Sequence, residues 1–307
     1  MADVSPDLII AGPTASGKTS LALRIAEEIN GEIIGADAFQ VYRGLPLITA
    51  QPDPDEQART RHHLIGEIDP MESFHVSRYR FLAEHHIRTI QSRGKRAILV
   101  GGTGFYIRAV LYGLSEGLPG PDLPLRARLE QRPLPELARE LVQLDPKAAV
   151  CVDLQNPRRV VRALEVCLLT GAPFSSFQKQ KTDSAGSLPR GIWMGVAREA
   201  LHECIEKRTH AMFEKGVVPE VESMNGRLGP TASQAIGVRE IQSHLRGELS
   251  LSETSRKIIE LTRQYARRQE TWFRKETALV RIAPQDAVAA AVHMVRGAGF
   301  EPATSCV

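Results

Sequence analysis

Cysteine is scarce in this chain. Of its 307 residues only 4 are cysteines, at Cys151, Cys167, Cys204 and Cys306, and no two form a Cys-x-x-Cys pair. That spacing supports neither a zinc site nor a disulfide framework, and it fits reduced thiols in a cytosol. Cys306 is the penultimate residue, which is not where a prenylation box puts its cysteine. Long apolar runs are missing too. Ala97-Ile98-Leu99-Val100 is among the longest, far too short to span a bilayer, and Met1-Ala2-Asp3-Val4-Ser5-Pro6 has neither the basic flank nor the apolar core of a secretion signal. No membrane association is expected, and a cytoplasmic location is. Charge of one sign is also lacking: 39 basic against 36 acidic residues leave a net +3, too little to announce a nucleic-acid partner without a patterned distribution. The composition that remains, 42% hydrophobic and 24% charged, is that of an ordinary globular chain with core enough for one large domain or two moderate ones.

Short apolar segments alternate with helical ones in the first third. Leu8-Ile9-Ile10-Ala11 reads as a buried parallel strand. A helix follows through Leu21, Leu23, Ile25, Ala26 and Ile29 and stops at Asn30-Gly31. Glu32 to Ala36 is a second strand ending at Asp37, Ala97 to Val100 a third ending at Gly101-Gly102-Thr103, and Phe105 to Tyr112 a helix. This order predicts an α/β fold, a P-loop NTPase-like parallel sheet flanked by helices. The breaker cluster from Gly117 to Pro124 opens a stretch that is helical in pattern from Arg126 to about Gly171, and a polar stretch runs from Ser175 to Arg190. Ile192 to Val196 returns to the sheet, and His202 to Thr277 is helical in pattern. The expected organisation is a discontinuous core, residues 1–118 and 186–307, interrupted by an all-helical insertion domain at 119–185.

Gly12-Pro13-Thr14-Ala15-Ser16-Gly17-Lys18-Thr19 has the spacing of a phosphate-binding loop, with the strand before it and the helix after it that the motif requires. Glycines let backbone amides curl around phosphate oxygens, and the helix N-terminus adds a favourable dipole. Lys18 is a point charge for the outer phosphates, and Thr19 a ligand for Mg2+. An incidental glycine-rich turn is the weaker alternative. An ATPase or small-molecule kinase usually carries an aspartate at the end of a neighbouring strand to organise magnesium. Here that strand ends in Gly101-Gly102-Thr103, and the aspartate, Asp37, follows the strand after the loop helix. Ligands of open α/β sheets bind beyond the carboxyl ends of the strands, so Lys18, Asp37 and Thr103 are expected at one crevice. There Asp37 suits proton removal from an attacking group; a turn or helix-cap role for it stays open.

Three segments in this order, the phosphate loop, Ala36-Asp37-Ala38-Phe39-Gln40-Val41-Tyr42-Arg43 and Gly101-Gly102-Thr103-Gly104-Phe105-Tyr106, resemble those of bacterial tRNA dimethylallyltransferases, the IPP transferase family. Further matches are Arg159-x-x-Arg162-Ala163-Leu164-Glu165, Ala235-Ile236-Gly237 and Thr262-Arg263-Gln264-Tyr265-Ala266-Arg267-Arg268-Gln269-x-Thr271-Trp272-Phe273, so the resemblance covers about residues 8–277. It implies transfer of a dimethylallyl group from dimethylallyl diphosphate to the exocyclic N6 amine of the adenosine 3′-adjacent to the anticodon, in tRNAs reading codons that begin with U. It implies Asp37 as general base and Thr103 beside it, with Lys18, Thr19 and Mg2+ on the diphosphate. Arg208, within Arg208-x-x-x-Met212, corresponds to a diphosphate-binding arginine. Contacts to the tRNA anticodon stem-loop are implied for Asp37, Ala38, Phe39, Gln40, Thr103, Arg126, Arg158, Arg159, Val160, Val161, Arg162, Gln234, Ala235, Ile236, Gly237, Val238 and Arg239. The expected assembly is a monomer.

Some positions depart from the family pattern. Gln51 stands where a lysine is frequent, Val238 where an aromatic residue commonly follows the glycine, Arg158 where glutamine is frequent, and Glu240 is acidic. No Cys/His spacing of a C-terminal zinc finger occurs. From Glu253 to Glu276 seven basic residues outnumber four acidic ones, with Arg263, Arg267 and Arg274 on one helical face beside Trp272 and Phe273. Spacing alone favours a solvated face over an aromatic anchor, and an RNA surface gains weight only through the resemblance. His62-His63 lacks a third ligand and reads as loop or core. A P-loop small-molecule kinase, a prenyltransferase using a free adenine nucleotide, and a nucleotide-gated RNA-binding protein are the rival readings.

Overall fold

The computed structural model describes residues 4–115, 117–177 and 191–296. In chain order the elements are β1 (Leu8–Ala11), α1 (Lys18–Ile29), β2 (Gly31–Ala36), α2 (Pro54–Arg59), β3 (His62–His63), α3 (Val76–Ser92), β4 (Arg96–Gly101) and α4 (Gly104–Tyr112). Then come α5 (Leu123–Glu130), α6 (Leu134–Leu144), α7 (Ala148–Cys151), α8 (Pro157–Thr170), β5 (Gly191–Met194), α9 (Arg198–Glu214), α10 (Val217–Ser223), α11 (Val238–Leu245), α12 (Leu251–Phe273), β6 (Leu279–Ile282) and α13 (Ala287–Val295). The chain divides into two compact units, Met1–Gly113 with Ser187–Val307, and Leu114–Gly186.

In the first unit six strands form one sheet in the order β3-β2-β4-β1-β5-β6, with every pairing parallel. Strands buried on both faces alternate their side chains between two apolar layers. Leu8 and Ile10 of β1 pack with Leu21, Leu23 and Ile25 of α1 and Ala290 of α13. Ile9 and Ala11 face the opposite layer, with Ile87 of α3, Ile107 of α4, Ile241 of α11 and Phe273 of α12. Three neighbouring strands end level: Ala11 of β1 and Ala36 of β2 are both in register with Gly101 of β4. The segments that follow these strands therefore converge on one edge of the sheet, as the strand-end argument required.

Strands β3 and β6 and helices α2, α3 and α13 were not anticipated. Edge strands of two and four residues carry too few side chains to show a period. Among the described residues no helix is long and apolar enough to cross a membrane.

The second unit is helical. Its core joins Leu129 of α5, Leu137 and Leu141 of α6, and Val160 and Leu164 of α8. Helix α8 begins at Asn156, whose side chain accepts from the amide of Arg159, has Pro157 in its first turn and closes on Gly171 at φ 66°, a conformation that suits glycine. Truncating Leu141 or Leu164 to alanine would cost roughly 2–5 kcal/mol. The polar stretch expected from Ser175 starts firmly anchored: the amide and hydroxyl of Ser175 donate to Asp145 at 2.7 and 2.8 Å. From residue 178 to 190 that stretch lies outside the described residues, as do the tail from 297 and Cys306.

Candidate active site

The loop between β1 and α1 is shaped by backbone geometry. Gly12 (φ 150°), Ala15 (φ 63°) and Gly17 (φ 83°) all take positive φ, which curls the loop over the start of α1, and the first-turn amides of that helix have no carbonyl of their own helix to bond. Lys18 donates from Nζ to the carbonyl of Pro13 at 2.5 Å. Burial lowers the Lys18 ammonium to about 7, against the raising effect of Asp37 and with a further lowering from Arg208. From α9, Arg208 donates to the hydroxyl of Thr14 at 2.7 Å. The hydroxyl of Ser16 and Nε of Arg208 are buried without a hydrogen-bond partner. Two cations and an orphaned hydroxyl beside the N-terminus of α1 match an anion of phosphate type.

Asp37 follows β2 and combines both readings of it. Its Oδ1 accepts from the amides of Phe39 (2.9 Å) and Gln40 (3.3 Å), which makes it a turn residue. Asp37 also lines a cleft together with the polar Thr14, Arg208 and Tyr265 and the apolar Phe39, Ile48, Met212 and Ile258. Thr103 sits at the N-cap of α4 but leaves that helix uncapped; its hydroxyl accepts instead from the amide of Ala38 at 3.1 Å. The Asp37 turn and the Thr103 loop are thereby stitched together.

Sequence reasoning assigned no role to the residues of α12 that hold this arrangement. Gln269 is buried; its Oε1 accepts from the amide of Thr14 at 2.8 Å and its Nε2 donates to the carbonyl of Gly102 at 2.9 Å. Tyr265, one turn earlier, is hydrogen-bonded to Thr103, and burial pushes its phenol far above the usual range. The glycines of the β4–α4 loop are explained by the same helix. A Cβ at Gly102 would lie 2.2 Å from Nε2 of Gln269, and one at Gly104 would lie 2.3 Å from the ring of Trp272. The inward face of α12, which buries Thr262, Ala266, Gln269 and Phe273, was the available signal: a glutamine in a buried helical stripe needs partners.

The remaining expected contact residues fall into distinct environments. Ala235 and Ile236 line the cleft, Gln234 and Arg239 are exposed, and Val238 is fully buried in the core. An apolar residue at that position is thus a packing choice. Gly237 (φ 100°) has Ile48 at 2.6 Å from where a Cβ would stand. Gln51 donates to the carbonyls of Gln40 and Tyr42 at 2.9 and 2.7 Å, and Gln40 donates to that of Ala50 at 2.6 Å, so both amides brace the segment after Asp37. In the helical unit, Arg158 and Arg159 are exposed at the start of α8, whereas Val160 and Val161 are core. Arg126 (2.8 Å) and Arg162 both pair with the fully buried Glu165, which occupies guanidinium groups expected to face RNA. On α12, Arg263 pairs with Glu206 at 3.0 Å and Arg274 with Glu270 at 2.7 Å, the pattern of a solvated face, with Phe273 as the buried anchor beside Trp193.

The IPP transferase family matches this chain over residues 40–276. The chain belongs to the IPP transferase family. A tRNA dimethylallyltransferase of Geobacter metallireducens is 44% identical over 282 residues, covering 89% of this chain and 91% of the relative. One from Thermus thermophilus is 44% identical over 278 residues, 87% and 89% of the two chains. Among solved structures, the tRNA isopentenylpyrophosphate transferase of Bacillus halodurans superposes with TM-score 0.68 at 33% identity over 95% of each chain. A eukaryotic dimethylallyltransferase acting on tRNA superposes with TM-score 0.79 at 25% identity, over 96% of this chain and 81% of that one. The α/β architecture of this IPP transferase with its parallel sheet is the one those structures share. Its β4, the neighbour of β1, ends in glycine where a nucleotide-hydrolysing P-loop protein usually keeps an aspartate.

Proposed function

We propose that this chain is a tRNA dimethylallyltransferase, joining the dimethylallyl group of dimethylallyl diphosphate to the N6 amine of the adenosine 3′-adjacent to the anticodon, in the cytoplasm. The observation that carries the reading is the pairing, in one cleft, of a cation-lined phosphate loop with a carboxylate that belongs to no hydrolytic magnesium site. The N6 nitrogen forms a bond to the allylic carbon as that carbon's bond to the bridging oxygen breaks. The electron pair leaves with diphosphate, and Asp37 receives the amine proton. Negative charge grows on the leaving oxygen, and Lys18, Arg208 and the loop amides are fixed where they stabilise it, which is worth several kcal/mol for a well-placed group. Thr103, bonded to the amide of Ala38 and to Tyr265, holds the Asp37 turn at the cleft where the purine enters. Ile48, Met212 and Ile258 give the cleft apolar surface that suits a branched five-carbon chain.

Oxygen ligands suit Mg2+, and the hydroxyl of Thr19 in the first turn of α1 fits that donor chemistry. The ion supplies charge neutralisation of the diphosphate when bound. We assign the RNA-facing role to exposed groups, Gln234 and Arg239 in the first unit and Arg158 and Arg159 in the second, while Arg126, Arg162, Val160 and Val161 shape the surface from beneath. The adenosine must leave the anticodon-loop stack to enter, at a cost of a few kcal/mol. Incubation with magnesium, dimethylallyl diphosphate and unmodified tRNA, followed by digestion, should yield isopentenyladenosine. Absence of that nucleoside together with ATP-dependent phosphorylation would return the kinase reading.

A further inference from the structure

His62 and His63 are adjacent in sequence but serve different surroundings. His62 lines a small cavity with Thr19 and Gln40. His63 points to the other side of β3, where it meets His86 of α3 and Glu67 of the turn after β3; one ligand atom from each of the three lies within 4.8 Å of the others. We propose that His63, Glu67 and His86 form a binding site for a first-row transition metal ion, zinc in particular, that ties helix α3 to the edge strand β3.

Each member of the cluster has a group left to give. Nε2 of His63 is 2.8 Å from Oε2 of Glu32, a carboxylate only 1% exposed. Lys95 and Arg93 also donate to that carboxylate, at 3.0 and 2.7 Å. A carboxylate on one ring nitrogen leaves the other for a metal, the carboxylate–imidazole pairing that orients metal-bound histidines. The His86 ring lies 4.5 Å from the His63 ring at 36° and makes no hydrogen bond among the described residues. His85, with its ring 5.6 Å away, and Arg61 are its other neighbours. Glu67 spends Oε1 on the amide of Leu64 at 2.8 Å, and its other oxygen is available. Two imidazoles and one carboxylate are a donor set for zinc, which takes nitrogen at about 2.0–2.1 Å and oxygen at about 2.0–2.2 Å. The exposed side of Glu67 leaves a fourth position to water. Arg61 nearby opposes a divalent ion, so the site belongs among the weaker ones.

Binding there would stiffen a segment connected to the cleft. The turn carrying Glu67 donates from the amide of Gly66 to the carbonyl of Gln40 at 2.8 Å, and Gln40 shares the Asp37 turn.

The test uses the full-length untagged protein, stripped of metal and titrated with zinc and with cobalt(II). Saturating zinc should raise Tm by roughly 2–5 °C, and cobalt should give visible d–d absorption without thiolate charge-transfer bands. Glu67→Gln, at an exposed position, and His86→Ala should each weaken cobalt binding at least tenfold, with transferase activity in metal-stripped buffer containing magnesium unchanged. Absence of a cobalt spectrum, or a zinc-induced shift equal in wild type and both variants, would overturn the site.

Discussion

The side chain of Gln269 accepts a hydrogen bond from the amide of Thr14, across 255 positions of sequence, and the same amide group reaches Gly102. One buried glutamine thus spaces the phosphate loop from the loop that carries Thr103. Gln269→Ala should leave an amide and a carbonyl without partners, each costing about 1–3 kcal/mol when buried. The expected outcome is a lowered Tm and a fall in kcat/KM of roughly 10- to 100-fold, with KM for dimethylallyl diphosphate raised. Steady-state kinetics with normal values and an unchanged melting curve would refute the bridge. Gly102→Ala should produce the same phenotype, because its methyl group claims the position of Nε2.

Asp37→Asn should slow transfer by about 10²- to 10⁴-fold, the usual contribution of a general base. Affinity for pyrophosphate should hold within about twofold, because base and phosphate cradle come from different strand ends. Single-turnover rates measured beside calorimetric binding separate the two. A near-normal rate in the variant removes Asp37 from the mechanism.

Lys18 makes diphosphate binding dependent on pH. Its ammonium is lowered to about 7 in the free protein by burial, whereas a bound dianion must raise it. Between the two values the complex holds more protons than the free protein, so binding takes up a proton and weakens as pH rises above 7, by up to tenfold per unit. Calorimetry of pyrophosphate binding at pH 8 in buffers of different ionisation enthalpy should report proton uptake approaching one. Lys18→Met should bind more weakly and show none.

Glu165 is the electrostatic hub of the helical unit, taking hydrogen bonds from Arg126, Arg162 and the amide of Asp122. Burial raises its carboxyl, but those donors overcome it and hold it below the usual value. A depressed carboxylate contributes stability that is present above the unfolded value near 4.5 and is lost as pH falls through the folded one. Glu165→Ala should destabilise this unit by about 3–5 kcal/mol at neutral pH, since two arginines lose their counter-charge. Hydrogen exchange resolved by segment should show faster exchange in α5 and α8; unchanged protection there would contradict the hub.

The sequence by itself determined the phosphate loop, the strands before and after it, and the convergence of Lys18, Asp37 and Thr103. Each is a local statement: a glycine spacing, an apolar run, a residue placed just beyond a strand. Family membership followed because those local statements occur in a fixed order. Tertiary structure alone decided which partner each polar side chain takes. Gln269 and Tyr265 read as ordinary positions of a long helix until α12 is laid across the strand ends. Arg126 and Arg162 read as cations for RNA until Glu165 is buried between them, and His63 gains ligand neighbours only once α3 packs against β3. The physical reason is range. Backbone conformation and burial period are set within a few residues of each position, whereas a buried polar group is satisfied by whatever donor or acceptor the packing brings near, from anywhere in the chain.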